Sequence, residues 1–238
     1  MAIHGKATGI ILGGYDLTSM LNEISTPQMV DTAETTPFGS TAKTYIPGVG
    51  DATVSMGGFY EGALAATELF LDTVAATADA VIVVYGRALA AGIDCKFGSV
   101  LRTSFEVTSP VSDVVSISGA AQASGGLVTG LVLMAKQTVS ASPTNGTSAD
   151  NAVATTAGGK AVLSVTGNTR NGTVTAVVQH STDGITWVDK GTFTVVPAAT
   201  LTSEVIALSG TINRYTRVVV TLAGTTGSAI VTVALARG

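Results

Sequence analysis

Catalysis and metal binding draw most often on histidine, cysteine and clustered carboxylates, and this chain holds two histidines and one cysteine. His4 stands close to the start and His180 in a Val/Thr-rich stretch, with no second His or Cys at metal-ligand spacing. No metal site is expected. His180-Ser181-Thr182-Asp183 contains the residue types of a hydrolase triad, but triad members converge from separate elements. Here they are consecutive and run into Asp183-Gly184, a hairpin signal, so a turn is expected. The pairs Gly13-Gly14, Gly57-Gly58 and Gly125-Gly126 fall in neither a dinucleotide fingerprint nor a P-loop. Cys95 shares the apolar parity of its stretch, where a buried, inert thiol is the default. No enzyme activity and no cofactor are expected.

Three side-chain groups remain. Glu23, Asp31 and Glu34 are carboxylates close in sequence, and catalytic work would require a cleft that sequence does not show. A solvated or channel-facing role suits them better. Trp187 and Tyr215 have two readings: an aromatic platform that stacks on sugars, or anchors of a β-sandwich core. Asn145-Gly-Thr and Asn171-Gly-Thr match a glycosylation pattern but read as Asn-Gly turns.

Composition bounds the class of protein. The 238 residues are 46% hydrophobic and 12% charged, about half the usual charged share, with net charge −4. That excludes a charge-solvated disordered chain, and it lacks the clustered Lys/Arg of a general nucleic-acid grip. So little charge on an Ala/Ser/Thr/Gly/Val-rich surface suits a subunit largely covered by its neighbours. The start lacks a secretory signal pattern. The apolar runs 80–85 and 127–135 are far shorter than the roughly 20 residues of a membrane helix, so no membrane association is expected.

The elements that position these residues read as mainly β. Residues 61–78 have apolar positions at helical spacing and are expected to form one helix flanking a sheet, before an apolar strand over 80–85. Residues 95–108 alternate: Cys95, Phe97, Leu101, Phe105 and Val107 on one parity, Lys96, Arg102, Ser104, Glu106 and Thr108 on the other. Residues 114–123 and 127–134 are expected as two strands around Ser124-Gly125-Gly126. Residues 137–159 are poor in large apolar residues and read as a linker. Six short Val/Thr-rich strands over 160–238 suggest an Ig-like or jelly-roll sandwich. Residues 1–136 carry six basic against twelve acidic residues, net −6, while 137–238 carry net +2, which supports two domains.

Residues 30–48, VDTAETTPFGSTAKTYIPG, followed by Asp51-Ala-Thr-Val-Ser, form an unusual segment pinned by Pro37, Gly39, Pro47 and Gly48. With Gly14-Tyr-Asp-Leu-Thr-Ser-Met-Leu21 upstream and the elements that follow, residues 3–136 resemble the major tail tube proteins of long, non-contractile-tailed bacteriophages. The resemblance implies an N-terminal domain of two packed β-sheets with a flanking helix. It also implies hexameric rings stacked into a hollow tube through which DNA is ejected. The partners implied are further copies of the chain, a tape measure protein, and tail terminator and tail tip proteins. DNA would be only transient cargo of the lumen, and the location would be the virion tail, with the host cytoplasm during assembly. A loop over residues 35–50 would reach the neighbouring ring, with Phe38, Lys43, Tyr45, Ile46 and Pro47 as contacts. Glu23, Asp31, Glu34, Asp51, Lys96, Arg102 and Glu106 are candidates for the lumen, where a net negative wall would keep DNA sliding. Residues 160–238 would form an extra sandwich on the tube exterior, removable near Gln137 without loss of assembly. The alternative function is a virion surface protein that binds host glycans through that sandwich, with Trp187 and Tyr215 as its platform.

Overall fold

The period-two patterns become strands almost throughout. The computed structural model describes residues 5–60 and 81–238, so the helix expected over 61–78 lies outside the described residues. In chain order the first strands are β1 (Thr8–Leu12), β2 (Tyr15–Asp16), β3 (Leu21–Ser25), β4 (Gln28–Glu34) and β5 (Tyr45–Phe59). Next come β6 (Val81–Arg87), β7 (Asp94–Thr108), β8 (Ser116–Val139), β9 (Thr144–Asn145) and β10 (Ala149–Asp150). The C-terminal part adds β11 (Gly159–Asn168), β12 (Val174–Ser181), β13 (Val188–Thr192), β14 (Thr202–Leu208), β15 (Tyr215–Leu222) and β16 (Ala229–Arg237). A mainly-β fold with antiparallel pairing is thus what the sequence builds.

The chain divides into two units. Of the described residues, the first holds 5–19, 81–98 and 128–238, and the second holds 20–60 and 99–127. Strands β7 and β8 each contribute to both units.

In the first unit one sheet runs in the order β14-β11-β16-β8-β7-β6-β1-β2. A second sheet, β10-β15-β12-β13 with β9 beside β15, packs on part of it. Between the sheets lie Leu163 and Val165 of β11, Val231, Val233 and Leu235 of β16, Val174, Ala176 and Val178 of β12, and Val218 and Val220 of β15. This is sandwich packing, with Phe193 and Ile212 closing it. The opposite parity of the same central strands builds a second core. Val162, Ala234 and Ala236 pack there with Ile11, Val84, Cys95, Phe97 and Val132. A bulge in β8 between Val132 and Met134 lets the consecutive Leu133 and Met134 both enter the first core.

The expected linker over 137–159 is therefore not a boundary. Residues 137–139 continue β8 and pair with β16, while β9 and β10 pair with β15. The sequence read a composition change as a joint, but those polar residues are sheet ends and turns within one unit. Even the β1–β2 turn meets the C-terminal part. Gly14, at φ +86°, lies so close to Thr202 that a Cβ would stand 2.6 Å from its backbone nitrogen.

In the second unit β5 is central, pairing with β3 from Leu21↔Gly58 to Ser25↔Ser55 and with β8 from Thr53↔Gln122 to Phe59↔Ser116. Ala52, Val54 and Met56 point inward in strict alternation, joined by Met20, Ile117 and Ala121. Gly58 is required there, because an added Cβ would stand 2.1 Å from the Met20 carbonyl oxygen.

Two sequence expectations change in detail. The strands expected at 114–123 and 127–134 are one strand, β8, in which Gly125 and Gly126 (φ +80° and +75°) bend the backbone without ending it. In β7, Cys95 and Phe97 are buried as expected, but beyond Gly98 the buried positions become Val100 and Arg102. The change falls where β7 passes from the first unit to the second.

A chain ending at Lys136 is expected to lose cooperative folding, because the second core would lack Val162, Val205, Ala234 and Ala236 and β8 would lack β16. Full burial of a valine such as Val162 contributes about 1.5–3 kcal/mol, and each alanine methyl roughly 0.8 kcal/mol. Thermal denaturation with a hydrophobic dye checks this: a sharp transition without dye binding would show the first 136 residues to be self-sufficient.

Candidate functional site

A long two-stranded arm stands out in the second unit. All seven residues of β4 are exposed, and so are Tyr45–Asp51 of β5; inward alternation begins only at Ala52. β4 and β5 pair from Gln28↔Ala52 and Met29↔Asp51 to Ala33↔Ile46 and Glu34↔Tyr45, with a bulge between Val30 and Thr32. The ladder continues as the Thr35 N–H donates to the Thr44 carbonyl at 2.8 Å. The tip turns through Pro37–Ser40 with Gly39 at φ +86°, and the Ser40 hydroxyl donates to the Ala42 carbonyl at 2.7 Å. The expected 35–50 loop is loop only over residues 35–44, because from Tyr45 onward it is strand.

The base of the arm is clamped from β8 and from β4 itself. Gln122 donates through Nε2 to the Asp51 carboxylate and, at 3.1 Å, to the Ala52 carbonyl. Gln28 donates through Nε2 to the Leu127 carbonyl at 3.1 Å. Sequence reasoning missed both glutamines, since their partners lie 71 and 99 residues away.

All five expected contact residues sit on this arm: Phe38 and Lys43 at the tip, Tyr45, Ile46 and Pro47 in β5. Phe38 is fully exposed, and Tyr45 and Ile46 are about half exposed. The structure adds Met29, Val30 and Val49, exposed apolar residues of the same arm. An isolated two-stranded ribbon is marginal in water, and large apolar side chains open to solvent make it more so. Lys43 pairs with Glu34 at 3.0 Å, but both are exposed, so the pair contributes at most about 1 kcal/mol.

The seven lumen candidates are not gathered in one place. Glu23 is exposed on β3, and Asp31, Glu34 and Asp51 are exposed on the arm. Lys96 is half-buried and Glu106 exposed. Arg102 is buried, at 9% exposure, against the expectation that its parity faces water. The reason is the change of buried parity in β7 beyond Gly98.

Trp187 and Tyr215 are neither of them in the core clusters. Trp187 is half-exposed just before β13, with the Arg217 guanidinium over its ring, 4.2 Å from the centroid. Arg214 lies 4.9 Å over the Tyr215 ring and grips Asp150 through Nε and Nη2 at 2.7 and 2.6 Å. This pair holds the Asp150 carboxyl down to about 2. The expected turn at 180–183 is present. Asp183 accepts N–H bonds from Ile185 and Thr186 and a hydroxyl bond from Ser181, all at 2.8 Å, which bring its carboxyl to about 2. His180 accepts the Asn213 N–H at Nδ1, 3.1 Å away, so that nitrogen is engaged by the backbone.

Burial, with the Asp94 charge second, pushes the Cys95 thiol up to about 12, which leaves it unreactive. Among the described residues no group of three His, Cys, Asp or Glu side chains could hold a metal ion.

No protein-family model matches the chain, and no curated protein matches it. Solved structures do. One is a component of the virion of a native gene transfer agent particle: 17% identity over 53% of this chain and 97% of that one, TM-score 0.43. Another is the SPP1 tail tube, at 13% identity over 54% of this chain and 78% of that one, TM-score 0.45. The chain is similar to tail tube proteins. The SPP1 Dit protein, described as a hub of the adsorption apparatus of phages infecting Gram-positive hosts, matches over 97% of this chain and 99% of that one at 11% identity, TM-score 0.40.

The His180 contact makes stability depend on pH. Burial, and secondarily the Lys190 charge, lower its pKa from 6.5, so the unfolded state takes up protons more readily than the folded one. The contribution is full above about pH 6.5 and is lost as pH falls through the lower folded value. Asp150 and Asp183 remain ionised across that window. The melting temperature should fall between pH 7.5 and pH 5, and His180→Gln, which keeps an acceptor without titrating, should flatten that fall. An equal fall in both proteins would remove His180 from the account.

Proposed function

We propose that this chain is a structural subunit that polymerises with copies of itself into a phage-type tail tube, the arm over residues 28–51 forming the contact between copies. The observation that carries this reading is the arm: a long ribbon clamped at its base, exposed on both faces, and rich in apolar side chains that a monomer leaves in water. Burial against another copy removes those side chains from water and stabilises the ribbon. The low charge of the whole chain supports the same reading.

The finer features follow from the resemblance of residues 3–136 to tail tube proteins. They are stacked, hexameric rings, a lumen that passes DNA during ejection, and tape measure, terminator and tip proteins as neighbours. Glu23, Asp31, Glu34, Asp51 and Glu106 are exposed carboxylates that would make such a lumen negative, Lys96 would offset one of them, and buried Arg102 drops out. The part of the first unit built on β9–β16 lies on the exterior in this reading.

The triple variant Phe38→Ser, Tyr45→Ser, Ile46→Ser tests the arm. It should keep the far-ultraviolet spectrum and melting temperature of the parent within a few degrees, while negative-stain images lose tubes and rings. Tubes of normal length from the variant would refute the arm as the contact.

A further inference from the structure

The outer face of the β10-β15-β12-β13 sheet carries a polar row that the tube reading leaves unused. Gln179↔Arg217 and Gln179↔Asp189 are cross-strand pairs, so Asp189, Gln179 and Arg217 stand side by side on β13, β12 and β15. They are bonded in sequence. Arg217 donates through Nε to Gln179 Oε1 at 2.9 Å, and Gln179 donates through Nε2 to Asp189 Oδ1 at 2.8 Å. Trp187 holds the guanidinium from one face at 4.2 Å. The guanidinium is thus fixed in plane and position, yet no acceptor among the described residues meets its two Nη groups. Nearby charges are already committed: Asp150 to Arg214, and Asp183 to its own turn. Beside the row, Ile185 exposes apolar surface two residues from the half-exposed indole.

We propose that this row is a binding site for a carboxylate-bearing saccharide of the uronic or sialic acid type. A stacked, pre-oriented guanidinium with a free fork suits a carboxylate, which accepts two parallel N–H bonds. Asp189 is an acceptor at the other end of the row and suits sugar hydroxyl donors. The indole edge with Ile185 offers apolar surface to the C–H face of a sugar ring. A bare anion would use only the fork, and a neutral sugar would leave the fork empty.

The experiment uses the full chain and calorimetric titration with short oligomers of galacturonate and glucuronate, with a sialyl trisaccharide, and with the carboxyl-reduced neutral counterpart of each. At least one acidic probe should bind at least tenfold tighter than its neutral counterpart. Arg217→Lys, which keeps the charge but loses the fork, should weaken that binding at least tenfold, and Trp187→Ala should abolish it. Both variants should keep the parent melting temperature; if Trp187→Ala does not, Arg217→Lys alone decides. Binding that ignores the carboxylate, binding unchanged in Arg217→Lys, competition by sulfate as strong as by the sugar, or no binding of any acidic probe would overturn the proposal. Tube formation is read separately by microscopy, so failure here leaves the polymerisation reading standing.

Discussion

Strands β11 and β16 are buried on both faces, and the organisation of the first unit follows from that. Val231, Val233 and Leu235 fill the space between two sheets, while Ala234 and Ala236 on the other parity meet the ring of Phe97 and the branched side chains of Ile11 and Val84. Small residues on that second face leave room for the large ones opposite, which is how a close-packed interior is filled without voids. A strand in this position has no solvent side on which to place charge, so it reads as a nearly continuous apolar run. Residues from both ends of the chain thereby share one core.

Much of the fold was legible in the sequence, and the failures have physical causes. Most of the strands over 160–238 and the long strand at 95–108 appear where expected, because burial of one face writes a period of two, although in 95–108 the expected buried parity holds only as far as Gly98. The Gly125-Gly126 pair was read as a break between two strands, since sequence does not say whether two permissive residues end a strand or bend it. Arg102 was misplaced because a strand that serves two units is covered on different faces along its length. The polar stretch at 137–159 looked like a joint because composition is blind to pairing, and its short strands bond to β15 far along the chain.

The candidate sites show the same division. Phe38, Tyr45 and Ile46 of the arm stood out in a polar, Thr-rich segment, whereas Met29, Val30 and Val49 did not. Their support by Gln28 and Gln122 did not, since a glutamine carries no pattern that names a distant carbonyl. Trp187 was assigned two roles by its type, core or platform. Its surface position beside Arg217 depends on a register between β12 and β15 that only the folded chain sets.

The two glutamines at the base of the arm also fix a length. Seven residues of β4 at about 3.3 Å each carry the ribbon roughly 23 Å before its tip begins. A ribbon held at its root does not sample that distance as a flexible tether does; it delivers the tip at a set distance and bearing. In the proposed assembly the spacing between successive partners would be set by a ruler made of backbone, and lengthening it by a residue pair would lengthen the repeat. Inserting a single residue would instead turn the side chains of the added strand onto the opposite face.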